Sequence, residues 1–226
     1  MKFAAIIPAR HGSKRLKGKN TKALLGKPLI CWTIESAIKS QFFSSILVST
    51  NDSKVLEICS SYSDVETIIR PEDLCTDEAS SDSMVSHCIQ FLNGIDAFVL
   101  LQPTSPLRTE KHISGSIAKF SDGINNYDID SLLSVSDRII YGEQYVDICV
   151  KTGVVIPSGI QTDEITKRKY LNGAIYINAI PQFVERGTIR SDKTCIFEME
   201  SMFSVDVDTL SDFIESEKTM EEFGYC

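Results

Sequence analysis

An open, mainly parallel twisted β-sheet with α-helices on both faces is the fold this sequence predicts. Two observations carry the prediction. Short apolar runs recur along the chain, each closed by a turn and followed by a helical stretch, the β-loop-α alternation of parallel sheets. The first run, FAAIIP, is apolar rather than alternating, as expected of a strand buried on both faces. The 226 residues suffice for one α/β domain with a substantial core, and residues 1–226 are read as one such domain.

FAAIIP at 3–8 is the first buried strand, and a glycine-bearing turn follows it. Pro28 opens a helical stretch through residue 40, with apolar side chains at 29, 30, 34, 37 and 38. SSILVST at 44–50 is the second strand, and Asp52 is placed to cap the helix after it. VETII at 65–69 is a third strand. Residues 82–92 read as helix, with Met84, Val85, Cys88 and Leu92 on one face. DAFVLLQ at 96–102 is a further strand, stopped by Pro103. Residues 110–120 form a helix and 130–136 a strand. From 137 to 170 the pattern breaks, and this stretch is expected to be an inserted arm. LNGAIYINA at 171–179 is read as a strand entered through an Asn-Gly turn. MFSVDVDTLSDF at 202–213 is read as a last strand ending in two aspartates, then a helix.

The charge is unevenly placed. Between Arg10 and Lys22 stand six cations (Arg10, Lys14, Arg15, Lys17, Lys19, Lys22) and no acid, in a chain with 23 Lys+Arg against 31 Asp+Glu. A net charge of −8 excludes general nucleic-acid or anionic-membrane binding, which needs broad basic surfaces. The basic loop is therefore a local anion site. A strand-to-loop turn carrying Gly12 and several cations suits a polyphosphate. Its spacing is neither G-x-G-x-x-G nor that of a P-loop, so dinucleotide and P-loop readings lose support. The plain alternative is a solvated basic loop.

Asp206 and Asp208 flank Val207 and share one face of an extended segment. Two carboxylates together suit Mg²⁺, a hard ion that takes one or two carboxylates plus substrate phosphates. The alternative is a helix cap, with Asp208 or Thr209 serving residues 210–221. LLQPTSPLR at 100–108 and the Ser/Asp-rich stretch after Arg70 follow strands and are either polar site walls or well-capped turns. Tyr176 reads as core on periodicity. Seven scattered cysteines without a C-x-x-C pair and three separated histidines point to neither a zinc knuckle nor a disulfide framework. No targeting segment is read and no apolar run approaches 18 residues, so a cytoplasmic, membrane-free protein is expected.

Taken in series, these segments resemble the N-acylneuraminate cytidylyltransferases, which activate nonulosonic acids. The matching stretches are IPAR-x-GSK at 7–14 with KN at 19–20, GKPLI-x-WTIE at 26–35 and STND at 49–52. RP-x-x-L-x-x-D at 70–77, LLQPTSPLR at 100–108, NGAIYI at 172–177 and VDVD-x-x-x-DF at 205–213 complete the set. The resemblance implies a nucleotidyltransferase sheet, CTP as co-substrate, Mg²⁺ as cofactor, and a homodimer whose arm, about 137–170, reaches the partner. It implies joining of a nine-carbon sugar acid to CMP with release of pyrophosphate. Residue by residue, it implies that Arg10, Lys14 and Lys19 hold the phosphates and that Asn20 touches nucleotide. Arg70, Ala79 and Ser81 would meet cytosine and ribose, Gln102 and Tyr176 the sugar, and Asp206 and Asp208 the metal. Lys19, Arg10 and Asp208 would carry the chemistry. A basic residue before NGAIYI is expected at the sugar; here Arg168, Lys167 or Lys169 stands in that place. KRLKGK at 14–19 also echoes the R-L-P-G-K of Kdo cytidylyltransferases without its proline, so legionaminate, pseudaminate and Kdo remain alternative substrates to N-acetylneuraminate.

Overall fold

The computed structural model describes residues 1–138, 144–156 and 166–224. In chain order the elements are β1 (Phe3–Pro8), β2 (Ala23–Leu24), β3 (Lys27–Pro28), α1 (Leu29–Ser40), β4 (Phe43–Thr50), α2 (Ser53–Cys59), β5 (Val65–Ile69), α3 (Ser81–Cys88) and β6 (Ala97–Leu100). They continue with α4 (Glu110–Tyr127), β7 (Ser131–Ser136), β8 (Tyr145–Cys149), β9 (Thr166–Ala179), α5 (Ile180–Arg186), β10 (Thr194–Glu198) and α6 (Leu210–Glu222). The main sheet runs β10-β7-β9-β6-β1-β4-β5, and β8 adds to β9; β2 and β3 form a separate two-strand hairpin. β1 lies parallel to β4 and β6, β4 to β5, and β10 to β7. β9 runs antiparallel to β6, β7 and β8, so the sheet is mixed but mostly parallel.

The doubly buried sheet follows from the apolar runs. Successive side chains of β1 point to opposite faces. Ala5 and Ile7 pack in the larger cluster with Ile30 and Ile34 of α1 and Ile117 and Phe120 of α4. Ile6 faces the other way, with Met84 and Val85 of α3 and Phe183 of α5. Ile6 and Ile7 are fully buried, each contributing roughly 1.5–3 kcal/mol. A third cluster joins Leu16 and Leu24 to Val205, Val207 and Phe213, and so packs α6 beneath the basic loop. Asp52 caps α2, accepting from Lys54 N at 3.0 Å.

Two expectations are corrected. Asn172-Gly173 is not a hairpin turn but a bulge inside the continuous β9. Leu133 of β7 faces Tyr176, yet Val135 already faces Leu171. Asn172 is buried and accepts from Ser134 Oγ at 2.6 Å and donates to Ser204 Oγ at 3.0 Å, while Gly173 sits at φ +72. Side-chain anchoring and a left-handed glycine thus bend the strand where a turn was expected. Nor is 204–208 a strand: among the described residues it joins no ladder, and Val207 N donates to Thr104 O at 2.7 Å. The last strand is β10, which the sequence reading passed over, as it did α5.

The arm expected at 137–170 falls partly outside the described residues, which leave out 139–143 and 157–165. Its described part is β8 against the start of β9, followed by Val154–Val155, which bridge back to Cys195 and to β8. β9 therefore runs from the arm into the centre of the sheet without interruption.

Candidate active site at the carboxyl ends of the strands

The parallel strands β1, β4, β5 and β6 all release their loops at one edge, where open α/β sheets bind ligands. A cavity of about 210 Å³ lies there, with Arg10, Lys19, Asn20, Arg70, Ser81 and Gln102 in its wall.

The loop after β1 is held from below by β4. Ala9 N donates to Ser49 O at 2.9 Å and Thr50 Oγ1 donates to Ala9 O at 2.6 Å. His11 N donates to Asn51 Oδ1 at 2.8 Å. Asn20 Nδ2 donates to Arg10 O at 3.3 Å, tying the far end of the loop to its start. Gly18, at φ +63, turns the chain into a short 3₁₀ segment at Lys19–Thr21. That turn directs Lys19 inward, leaving its side chain 12% exposed.

Two carboxylates each bridge two of the loop's cations. Asp77, from the loop after β5, meets Arg10 Nη2 and Lys14 Nζ, both at 2.5 Å. Asp208 meets Lys19 Nζ and Arg15 Nη2, both at 2.7 Å. The hydrogen bonds from Lys14 and then Arg10 hold the Asp77 carboxyl below the usual carboxylate range.

Asp208 is free to do this because it is not the helix cap. Thr209 caps α6 and exchanges hydrogen bonds with Asp212 in a capping box. Asp206 is pushed up to about 6, mainly by burial and further by the charge of Asp208, against a hydrogen bond from Thr104. Its Oδ1 is buried and has no hydrogen-bond partner among the described residues. A hard, unpartnered carboxylate oxygen beside a second carboxylate fits the donor set of Mg²⁺, whose remaining positions go to phosphates and water.

Arg70 is buried, with Nε donating to Ser49 Oγ at 3.1 Å and Nη2 to Ser49 O at 2.9 Å. Ala79, Ser80 and Ser81 line the cavity where α3 begins, and Ser80 caps that helix. Gln102 lines the cavity next to the β9 bulge: a Cβ on Gly173 would lie 3.5 Å from Gln102 Oε1. Tyr176 packs between two apolar clusters, and burial, then the charge of Asp206, pushes its hydroxyl up to about 12.

Beneath Gln102 lies Arg108, 2% exposed. Its Nη1 donates to Gln102 O at 3.1 Å and to Ala174 O at 2.9 Å, and its Nη2 to Thr33 Oγ1 at 2.8 Å. It pins the end of β6, the bulge and α1 together, while burial lowers its pKa to about 9.

Arg168 stands apart from this cavity. It lies on the arm half of β9, over the ring of Tyr145 at 3.7 Å and paired with Asp147 at 3.1 Å. Lys169 beside it is wholly buried and paired with Asp137 at 2.9 Å and with Glu198. Burial opposes its charge, but the bonds to Glu198 and Asp137 outweigh burial and push it up to about 12.

The sequence reading missed Asp77 and Asn51 as parts of the site, and counted Arg15 among the loop's cations without giving it a role of its own. The acid at the end of RP-x-x-L-x-x-D was the one available signal for Asp77.

Known proteins bear on this arrangement. The cytidylyltransferase family profile matches residues 4–152, more than half of the chain. An N-acylneuraminate cytidylyltransferase of Streptococcus agalactiae is 34% identical over 220 residues, covering 95% of this chain and 52% of that protein. The chain thus spans about half the length of the streptococcal relatives. A CMP-N,N'-diacetyllegionaminic acid synthase of Legionella pneumophila is 34% identical over 230 residues, covering 98% of this chain and 97% of that protein. A solved CMP:2-keto-3-deoxy-manno-octonic acid synthetase complexed with CTP shares the fold, with a TM-score of 0.76 at 16% identity over 99% of this chain and 100% of that one.

Proposed function

The chain belongs to the cytidylyltransferase family, and from that premise we propose that it transfers CMP from CTP to a nonulosonic acid, N-acetylneuraminate or a close relative, releasing pyrophosphate. The observation that carries the reading is a cation-lined cavity with a carboxylate pair beside it, at the ligand-binding edge of the sheet.

The sugar's anomeric oxygen attacks the α-phosphorus as the bond to the pyrophosphate oxygen breaks. Negative charge grows on the leaving group, and Lys19 and Arg10 are the cations in the cavity wall that meet it, with the exposed Lys14 beyond them; one fixed group of this kind is commonly worth about 3 kcal/mol. Asn20 keeps the loop closed on the phosphates. Arg70, Ala79 and Ser81 face the nucleoside and Gln102 faces the sugar, while Tyr176 packs in the apolar clusters outside the cavity lining. Asp206 and Asp208 would hold Mg²⁺, which when bound neutralises phosphate charge. The hydroxyl must also lose its proton, which either metal coordination or a carboxylate such as Asp208 could assist. Much of the remaining acceleration is alignment of the hydroxyl with phosphorus. Arg168 belongs to the sugar side only if a partner subunit's arm or an arm movement brings it there, and the reading includes a cytoplasmic homodimer formed through that arm.

The test is pyrophosphate release from CTP and Mg²⁺ with N-acetylneuraminate, legionaminate, pseudaminate and Kdo. Turnover of a nine-carbon acid is expected; release with Kdo alone, or with none despite CTP binding, would sink the reading. A legionaminate-type acid is the second reading, favoured by the match to the Legionella relative along nearly its whole length. Light scattering should return twice the 25.2 kDa chain mass; a monomer would remove the dimer.

A further inference from the structure

We propose that Asp77 is a specificity-determining residue of this site: its carboxylate sits where a distal phosphate would sit, and it competes with pyrophosphate and CTP but not with CMP. The proposal rests on the cytidylyltransferase reading and adds to it a role for an acid.

A carboxylate spanning two cations imitates a phosphate, because guanidinium and ammonium donors accept either oxyanion in the same geometry. Asp77 does this with Oδ1 on Arg10 Nη2 and Oδ2 on Lys14 Nζ. These two cations are the ones that would take the outer phosphates, so a polyphosphate and Asp77 claim the same donors. The latch is able to yield. Lys14 is 81% exposed and Asp77 34%, and exposed ion pairs are individually weak.

Removing the acid leaves the cradle standing. Arg10 has a second anchor, its Nη1 donating to Cys75 O at 3.0 Å. Arg10 also lines both the nucleotide cavity and an outer depression of about 380 Å³ bounded by Lys14, Asn51, Glu72, Asp77 and Glu78. The acids around that depression favour departure of a polyanion over its residence. Asp77 would thus return to Arg10 and Lys14 as pyrophosphate leaves, and shorten its stay. CMP has no phosphate that reaches these two cations, so the competition is blind to it.

The experiment is calorimetric titration of the full chain and of Asp77→Asn with pyrophosphate, CTP and CMP. Asp77→Asn should bind pyrophosphate and CTP about tenfold more tightly and CMP within twofold of the parent. Asp77→Ser should behave alike, which guards against an effect peculiar to the amide. Pyrophosphate affinity that is unchanged or weaker, or absent from parent and variants alike, overturns the proposal and makes Asp77 a support for Arg10. Equal tightening of CMP overturns it as well. These readouts need no sugar: tighter pyrophosphate binding in a protein that turns over none of the sugar acids would uphold the competition and reject the substrate reading.

Discussion

Lys19 and Asp208 are 189 positions apart in the chain and 2.7 Å apart in the fold. The pair joins the basic loop after β1 to the segment before α6, and so closes the candidate site across two motifs that no local pattern connects.

Lys19→Ala should lower turnover at saturating CTP by about 100-fold, the cost of one fixed group facing leaving-group charge. Steady-state pyrophosphate release decides it. A change in cytosine preference with turnover intact would place Lys19 elsewhere.

Asp206→Asn should abolish Mg²⁺-dependent turnover while the protein melts no lower than the parent. The carboxyl is moved from 3.8 to about 6, so the folded state holds its proton more tightly than the unfolded state. Its ionisation therefore costs stability, about 1–3 kcal/mol once complete. The cost is absent below pH 3.8, grows up to about 6 and is full above that. The melting-temperature gain of the variant should thus be largest near pH 7–8 and vanish near pH 4. A gain that is the same at both pH values would remove the burial argument.

Gly173→Ala should cost about 1–2 kcal/mol, because a side chain at φ +72 is strained. The new methyl would also stand 3.5 Å from Gln102 Oε1. The KM for the sugar acid should rise while the KM for CTP stays put. Equal rises in both would detach the bulge from the sugar side.

Thr209→Val should cost about 1 kcal/mol through loss of the α6 cap, or roughly 2–4 °C in melting temperature for a chain of this size. Thermal denaturation measures it. A helix that melts unchanged would show that Asp208 can take over capping.

The sheet was legible where burial on two faces leaves a plain mark. FAAIIP and AFVLL are continuous apolar runs because neither face meets water. VDVD was misread because alternating valines and aspartates look the same whether or not a ladder forms; here Val205 and Val207 fill the cluster under the basic loop. Asn172-Gly173 misled because the same dipeptide serves a turn or a bulge, and the choice fell to Ser134 and Ser204, distant in sequence. The basic loop was visible as charge, but its partners were not. Nothing local in RP-x-x-L-x-x-D says that its last acid crosses 67 positions to Arg10.

β9 is 14 residues long, an unbroken ribbon of roughly 45 Å at about 3.3 Å per residue. It carries Arg168 and the Tyr145 stack at one end and the Gln102 side of the cavity beyond the bulge. Its arm half is laddered to β8 and β7 as far as Leu171, so a rotation imposed on the arm is carried to the bulge at Gly173, beyond which pairing resumes at Tyr176. Whatever grips the arm therefore has a mechanical line to the Gln102 side of the cavity.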